Sequence, residues 1–375
     1  MRVEPLITSE NKIRYILVDR LGKPIEPVFK FIRFKDNSGS ARNTIRAYCY
    51  HLKLYFQFLE QRKLDYRYLG IDEMGDFLRW LQNPYQNVKV TSISPVSLYR
   101  KARTVNIIIS TIMNFYDYLM RHQDYSLQVS ERLKRQMLGS RRGFKGFLYH
   151  ISRNKMFDAK ILKIKEPKER PKTISKDEVQ ELVGACSNLR DRFLIQLLWE
   201  TAIRIGEALA LYLEDFEIDA RKVYIRDRGE LPNMAEIKTV CSLRKLDVSK
   251  ELINLYLAYL AEIHTDEVDT NHVFIKLSGP NIHEPLEYID VDSLFKRLRK
   301  KTGIYVTPHV LRHSSLTELY RDGWRPEHIR KRAGHAHVQT TIQMYVHPND
   351  EDLRKDWEKA EEHMKLHYQK EEEVD

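Results

Sequence analysis

The stretch from Thr307 to His347, TPHVLRHSSLTELYRDGWRPEHIRKRAGHAHVQTTIQMYVH, gathers side chains suited to a single oxyanion. His309 and Arg312 stand three apart with His313 beside them, His335 sits in an Ala-Gly-His turn, and Tyr345 comes ten residues later. An arginine offers a planar fork of donors that matches phosphate. Histidines donate hydrogen bonds or move protons near neutral pH. A tyrosine hydroxyl becomes a nucleophile once its proton is removed and the phosphorus it meets is made electrophilic.

Taken singly, each residue has a plainer meaning. His309 and His313 at i, i+4, or His335 and His337, are spaced as metal ligands are. No cysteine cluster or third acidic ligand joins either pair at standard spacing. Tyr345 alone would be a core or interface aromatic, and Arg204 alone an ion-pair residue for Glu207. Their joint order along the chain is what favours chemistry.

The elements that must position these groups are legible nearby. Thr307 is a suitable N-cap and Pro308 suits a first helical turn, where its missing N–H costs nothing. A helix from there to about Arg321 buries Val310, Leu311, Leu316 and Leu319, and puts His309 and Arg312 on one side. Gly323 ends it. Pro326 opens a second helix through Arg332, with Ile329 and Ala333 inward, and Gly334 stops that one.

The run H-x-L-R-H, then A-G-H, then Tyr resembles the second signature block of the tyrosine recombinase (phage integrase) family. Upstream, Thr201-Ala202-Ile203-Arg204-Ile205-Gly206-Glu207 resembles that family's T-G-x-R-x-x-E, departing at Ala202, where the family usually has Gly. The family's catalytic lysine sits in a β-hairpin turn between the blocks. Ile237-Lys238-Thr239, followed by Ser242-Leu243-Arg244, resembles that hairpin, with Lys238 the match and Lys245 the weaker alternative. The resemblance is strong from about Thr173 to Asp350 and loose over an N-terminal helical region. Within the family, the arm and helical region look most like a transposon-borne recombinase of the transposase A type.

The resemblance implies a mostly α fold with a small β-sheet or hairpin, built as a two-domain DNA clamp: a helical core-binding domain plus a catalytic domain. It implies attack by Tyr345 on a backbone phosphorus of duplex DNA, leaving a 3′-phosphotyrosyl link and a free 5′-hydroxyl. Arg204 and Arg312 would neutralise the non-bridging oxygens. His309 and His335 would hold the phosphate and manage the tyrosine proton, and Lys238 would protonate the departing 5′-oxygen. Phosphodiester exchange is nearly isoenergetic, so no nucleotide cofactor is implied, and the cationic side chains take the place of a metal. A type IB topoisomerase shares this chemistry without strand exchange. A non-catalytic DNA-binding regulator is the other alternative, against which the intact tyrosine and both arginines argue.

The 375 residues are enough for two domains and a sizeable core. No apolar run approaches a membrane span, and MRVEPLITSE lacks a signal-peptide core, so neither membrane nor export is expected. Three scattered cysteines, Cys49, Cys186 and Cys241, fit free thiols in a reducing cytosol, and the resemblance implies that this is a bacterial cytoplasm. The formal net charge of +10 suits a polyanionic partner. Residues 131–172 carry fourteen Lys/Arg against four Asp/Glu, whereas 350–375 carry eleven acidic residues against five basic.

These patterns divide the chain. Residues 1–36 read as an arm, a β-hairpin of Ile13–Val18 and Pro27–Phe31 around Leu21-Gly22-Lys23-Pro24. Residues 37–130 read as a helical bundle without strands: helices from Asn43-Thr44 through Leu59, from Asp72 to Leu81, a short one after Ser94-Pro95, and one from Arg100 to Arg121. Arg42, Arg46, Arg100, Lys101 and Arg103 stand near helix starts, where they could reach phosphates or simply be solvated. Residues 131–172 form a basic linker in which Arg141, Arg142, Lys145, Arg153 and Lys155 suit an extended phosphate track. The catalytic domain, 173–350, opens on a capping box at Ser175–Glu178, has strands at Val223–Ile225 and Leu246–Val248 flanking Lys238, and has further helices from Leu252 to Ile263 and near Leu294–Leu298. In the acidic tail, 351–375, Leu353, Trp357, Ala360 and Met364 recur at helical spacing. That stripe suits self-association on DNA, beside other recombination proteins of the same mobile element.

Overall fold

The structure is a computed structural model, and it describes residues 1–9, 12–84, 99–121, 128–129, 162–166, 172–237, 240–337, 354, 357–358 and 360–362. The chain divides into two compact units, Met1–Lys168 and Glu169–Asp375.

In the first unit, β1 (Arg2–Ile7) and β2 (Ile13–Val18) form an antiparallel ladder in the register Arg2↔Val18 to Ile7↔Ile13. Four helices follow: α1 (Glu26–Asn37), α2 (Arg42–Arg62), α3 (Ile71–Gln82) and α4 (Ala102–Arg121). A two-residue parallel ladder joins β3 (Tyr68–Leu69) to β4 (Gln128–Val129). One core runs through all the helices, with Phe31, Ile45, Tyr55, Phe58, Phe77, Ile112 and Phe115 fully buried.

Two expectations need correction here. The hairpin pairs Ile13–Val18 with Arg2–Ile7, not with Pro27–Phe31, which lies in α1. Val-Phe-Lys-Phe alternates like a strand, but Val28, Phe31 and Ile32 are buried at i, i+3, i+4, and Glu26 and Pro27 suit a helix's first turn. Leu17 of the hairpin and Phe31 of α1 share the helical core, so the hairpin packs on the bundle. The bundle itself carries a short ladder where no strand was expected. The short helix expected after Ser94-Pro95 lies outside the described residues.

The second unit is built around α6 (Leu189–Thr201), whose Phe193, Leu194, Ile195, Leu197 and Leu198 are all fully buried. Before it comes α5 (Lys176–Ala185), opened by the expected capping box: Ser175 Oγ accepts from Glu178 N (3.2 Å) and Ser175 N donates to Glu178 Oε2 (2.7 Å). After it come α7 (Ile205–Leu209) and a three-stranded antiparallel sheet of β5 (Phe216–Glu217), β6 (Lys222–Ile225) and β7 (Arg244–Asp247). Helices α8 (Lys250–Ile263), α9 (Tyr288–Thr302), α10 (Pro308–Arg321) and α11 (Pro326–Ala333) complete it. Thr307 Oγ1 caps α10 by accepting from Val310 N (3.1 Å). In the acidic tail residues 354, 357–358 and 360–362 are helical, and Trp357 is 61% exposed. Among the described residues no helix is long and apolar enough to cross a membrane.

Candidate active site

Helix α6 ends at Ala202, whose left-handed backbone (φ 53°, ψ 28°) turns the chain sharply. Arg204 then becomes the N-cap of α7, its N–H donating to Glu207 Oε2 at 2.9 Å. Two apolar helix faces bring α10 and α11 to this corner: Ala202, Leu316, Ile329 and Ala333 form one buried cluster. An alanine thus holds a conformation that glycine adopts more cheaply.

The end of α11 organises the site. Its last carbonyls have no partner within the helix and carry the negative end of the macrodipole. Three successive carbonyls each accept from a different arginine. Arg332 O takes Arg244 Nε (2.7 Å), Ala333 O takes Arg312 Nη2 (2.6 Å), and Gly334 O takes Arg204 Nη2 (3.1 Å). Arg312 Nη1 also donates to Ala202 O, tying α10 to the turn before Arg204. Gly334, at φ 64°, reverses the chain and delivers His335, whose Nε2 lies 3.1 Å from Arg312 Nη2.

One buried carboxylate balances these cations in part. Glu207 Oε1 accepts from Arg204 Nη1 (2.7 Å) and Oε2 from Arg244 Nη2 (2.9 Å). Burial opposes its ionisation, but Arg244 and Arg204 prevail and hold its pKa at about 2. His335 is shifted the other way, to about 4, first by burial and then by Arg312, Arg204 and Arg244, against Glu207. It is therefore a neutral imidazole at physiological pH, presenting Nε2 as the acceptor for Arg312. Arg204 keeps 27% of its side-chain surface open, whereas Arg244 keeps 5% and Arg312 is likewise buried.

Arg204, Arg312 and His335 are thus brought together. His309 stands exposed on the first turn of α10, its ring edge-on to the buried His313 ring with centroids 5.9 Å apart. Lys238 and Tyr345 lie outside the described residues. The chain leading to Lys238 runs close past α7, since a Cβ on Gly206 would come within 3.2 Å of Glu236 O. Lys245 occupies an outward position of β7, whereas its neighbour Arg244 turns inward to Glu207; alternation sends the two to opposite faces. Arg244 was missed by sequence reasoning, although the hairpin motif contains it. Its partner is 37 residues away, and only the inward positions of β7 could have hinted at it.

Of the proposed DNA contacts, Arg42 needs correction. It is 3% exposed rather than a solvent-facing cation, because it lies three residues before Ile45 on the core face of α2. Arg46 is exposed, over the rings of Tyr15 (5.4 Å) and Tyr50 (5.9 Å). Arg100 is half-buried, donates to Leu81 O (2.8 Å) and lies over Tyr99, while Lys101 and Arg103 are exposed. Arg141, Arg142, Lys145, Arg153 and Lys155 lie outside the described residues.

A helical unit followed by a unit that converges two arginine forks and a neutral histidine on one helix end defines a protein that acts on a phosphate ester. Residues 172–352 match the phage integrase family, and residues 32–123 match the N-terminal SAM-like domain of phage integrases. The chain is 38% identical over 356 residues to Transposase A from transposon Tn554 of Staphylococcus aureus, covering 94% of this chain and 96% of that one. It is 25% identical over 331 residues to tyrosine recombinase XerA of Pyrococcus horikoshii, covering 88% and 92%. The chain belongs to the phage integrase family: it is a tyrosine recombinase, a DNA strand-exchange transesterase. The fold agrees with two solved structures. The Tn1549 transposon integrase in complex with a circular intermediate DNA aligns with a TM-score of 0.62 at 14% identity, over 89% of this chain and 99% of that one. The XerH site-specific recombinase bound to palindromic difH substrate gives 0.61 at 15%, over 88% and 95%.

Proposed function

We propose that this chain binds duplex DNA and that Tyr345 attacks a backbone phosphorus, forming a 3′-phosphotyrosyl bond as the 5′-oxygen departs. The observation that carries this reading is the anchoring of Arg204 and Arg312 on adjacent carbonyls at the end of α11, with His335 against Arg312. Both forks are fixed before any phosphate arrives, so they stabilise the charge on the non-bridging oxygens without reorganising as it builds. His335 starts as a neutral base. A phosphodiester beside the two arginines offsets their charge and raises its proton affinity, and His335 takes the tyrosine proton at Nε2 once that lone pair is released from Arg312. His309, at the exposed mouth of α10, holds the phosphate, and Lys238 protonates the leaving 5′-oxygen. In the reverse step the 5′-hydroxyl of a second strand attacks the phosphotyrosyl bond and Tyr345 leaves.

The similarity to Transposase A over nearly the whole of both chains supports a transposon-borne recombinase working on DNA in the bacterial cytoplasm, at the nucleoid. Arg46, Arg100, Lys101, Arg103 and the basic segment with Arg141, Arg142, Lys145, Arg153 and Lys155 supply phosphate contacts. The tail, with Trp357 open to solvent, joins protomers on DNA. The test is to incubate the protein with duplexes bearing the end sequences of its element and assay for covalent protein–DNA adducts. Tyr345→Phe is expected to abolish adducts while retaining specific binding; adducts persisting in that variant would overturn the assignment.

A further inference from the structure

We infer that Arg244 is a positioning residue for the reaction, setting the Arg204 fork through the carboxylate they share. This rests on the reading that Arg204 holds the scissile phosphate. Each nitrogen of the Arg244 guanidinium is committed to a different part of the site. Nη2 donates to Glu207 Oε2 (2.9 Å), Nη1 to Ser242 O (2.6 Å) and Nε to Arg332 O (2.7 Å). Arg204 meets the same three segments: Glu207 through Nη1, Ser242 Oγ through Nη1 (3.3 Å), and the α11 end through Gly334 O. The two guanidinium groups therefore share a frame made of α7, the turn that ends at Ser242 before β7, and the end of α11.

Their exposure divides the labour. Arg244 is 5% open and all three of its guanidinium nitrogens are committed to protein acceptors, whereas Arg204 is 27% open. Arg204 reaches both oxygens of Glu207, Oε2 through its backbone N–H and Oε1 through Nη1, and Arg244 adds a second hold on Oε2 from a different element, so the carboxylate is braced from two sides. Fixing Glu207 fixes the plane of Arg204, and a planar fork acts on phosphate only when that plane is correct. Gly334 is what lets Arg244 in: a Cβ there would sit 2.9 Å from Arg244 Nη1 and 3.1 Å from Cys241 O. The Gly in the Ala-Gly-His turn thus serves the helix stop and makes room for this arginine.

The experiment measures single-turnover cleavage of the element-end duplex by Arg204→Ala, Arg244→Ala and the double variant, with DNA affinity measured in each in a Tyr345→Phe background. Arg244→Ala is expected to slow cleavage by roughly 10- to 100-fold while changing affinity less than about threefold, the pattern of an interaction that matters in the transition state. Because it acts through Arg204, the double variant is expected to cleave no more than about threefold slower than Arg204→Ala alone. Multiplicative losses, or a wild-type rate for Arg244→Ala, would overturn the inference. Near-wild-type cleavage by Arg204→Ala would instead remove the reading of the site on which it rests. Should Arg244→Ala fold poorly, Arg244→Ala/Glu207→Gln removes the stranded buried carboxylate and is expected to recover the fold but not the rate. Recovery of the rate as well would mean that Arg244 serves only to neutralise Glu207.

Discussion

His335 is surrounded by Arg312, Arg204 and Arg244 with one carboxylate among them, and this governs how the folded site answers acid. Its pKa of about 4 lies below the ordinary histidine value, so the unfolded chain takes up this proton before the folded one does. Stability from this group is whole above about pH 6.5 and is lost as the pH falls toward 4, by up to about 3 kcal/mol. Glu207 adds a second loss, from about pH 4.5 down to 2, because its folded pKa is depressed. In thermal melts between pH 7 and 4, His335→Gln is expected to show a flatter decline than the wild type; an equal slope would mean that His335 does not bury a neutral ring. Lys238 is tested by a different substrate. If it is the general acid, Lys238→Ala cleaves ordinary DNA poorly but cleaves DNA with a 5′-bridging sulfur at close to the wild-type rate, because thiolate leaves without a proton. Lys245→Ala, outward on β7, is expected to behave as wild type on both. Sulfur rescue of Lys245→Ala with Lys238→Ala still slow would reverse the assignment.

Two left-handed residues make the corner where α6, α7, α10 and α11 meet, and they respond differently to substitution. At Gly334, alanine meets a positive φ and a pinned guanidinium together. Gly334→Ala is expected to lower stability by about 1–3 kcal/mol and to slow cleavage. At Ala202 the chain already bears the strain, and its methyl lies fully buried against Leu316 and Ile329. Ala202→Gly relieves about 1 kcal/mol of strain but forfeits about 0.8 kcal/mol of methyl burial and gains unfolded-state freedom. Its melting temperature is expected to stay within a few degrees of wild type. A large loss at Ala202 with none at Gly334 would contradict this account of the corner. Much of this arrangement is legible in the sequence because it is local: Thr307, Pro308, Gly323, Pro326 and Gly334 bound their helices by cap and turn chemistry that spacing reveals. What escapes is what depends on distant partners. Arg244 finds Glu207 across 37 residues, and Arg42 looks like a surface cation until the turn of α2 places it with Ile45. In α1, Val-Phe-Lys-Phe satisfies both a strand and a helix pattern, and only packing against α2 and α4 decides.

At the scale of the molecule, charge is divided along the sequence, with a basic segment at 131–172, whose Leu162 joins the first unit's core, and an acidic stretch at 350–375. Neutralising Arg141, Arg142, Lys145, Arg153 and Lys155 together is expected to weaken binding alike on specific and random duplexes. It should also flatten the slope of log affinity against log salt by about 0.9 for each phosphate that is no longer neutralised; an unchanged slope would make the segment a solvated loop. In the proposed reaction these cations bring one phosphate to one hydroxyl, and the most direct measurement finds where the nucleotide ends up. Trapped protein–DNA adduct, digested with nuclease and then trypsin, gives a peptide from Ala333 to Arg354 whose only tyrosine is Tyr345, whereas Tyr320 falls in the peptide His313 to Arg321. Mass spectrometry is expected to place the 3′-linked nucleotide on the Ala333–Arg354 peptide at Tyr345. A nucleotide carried by Tyr320, or by any other peptide of the chain, would contradict it.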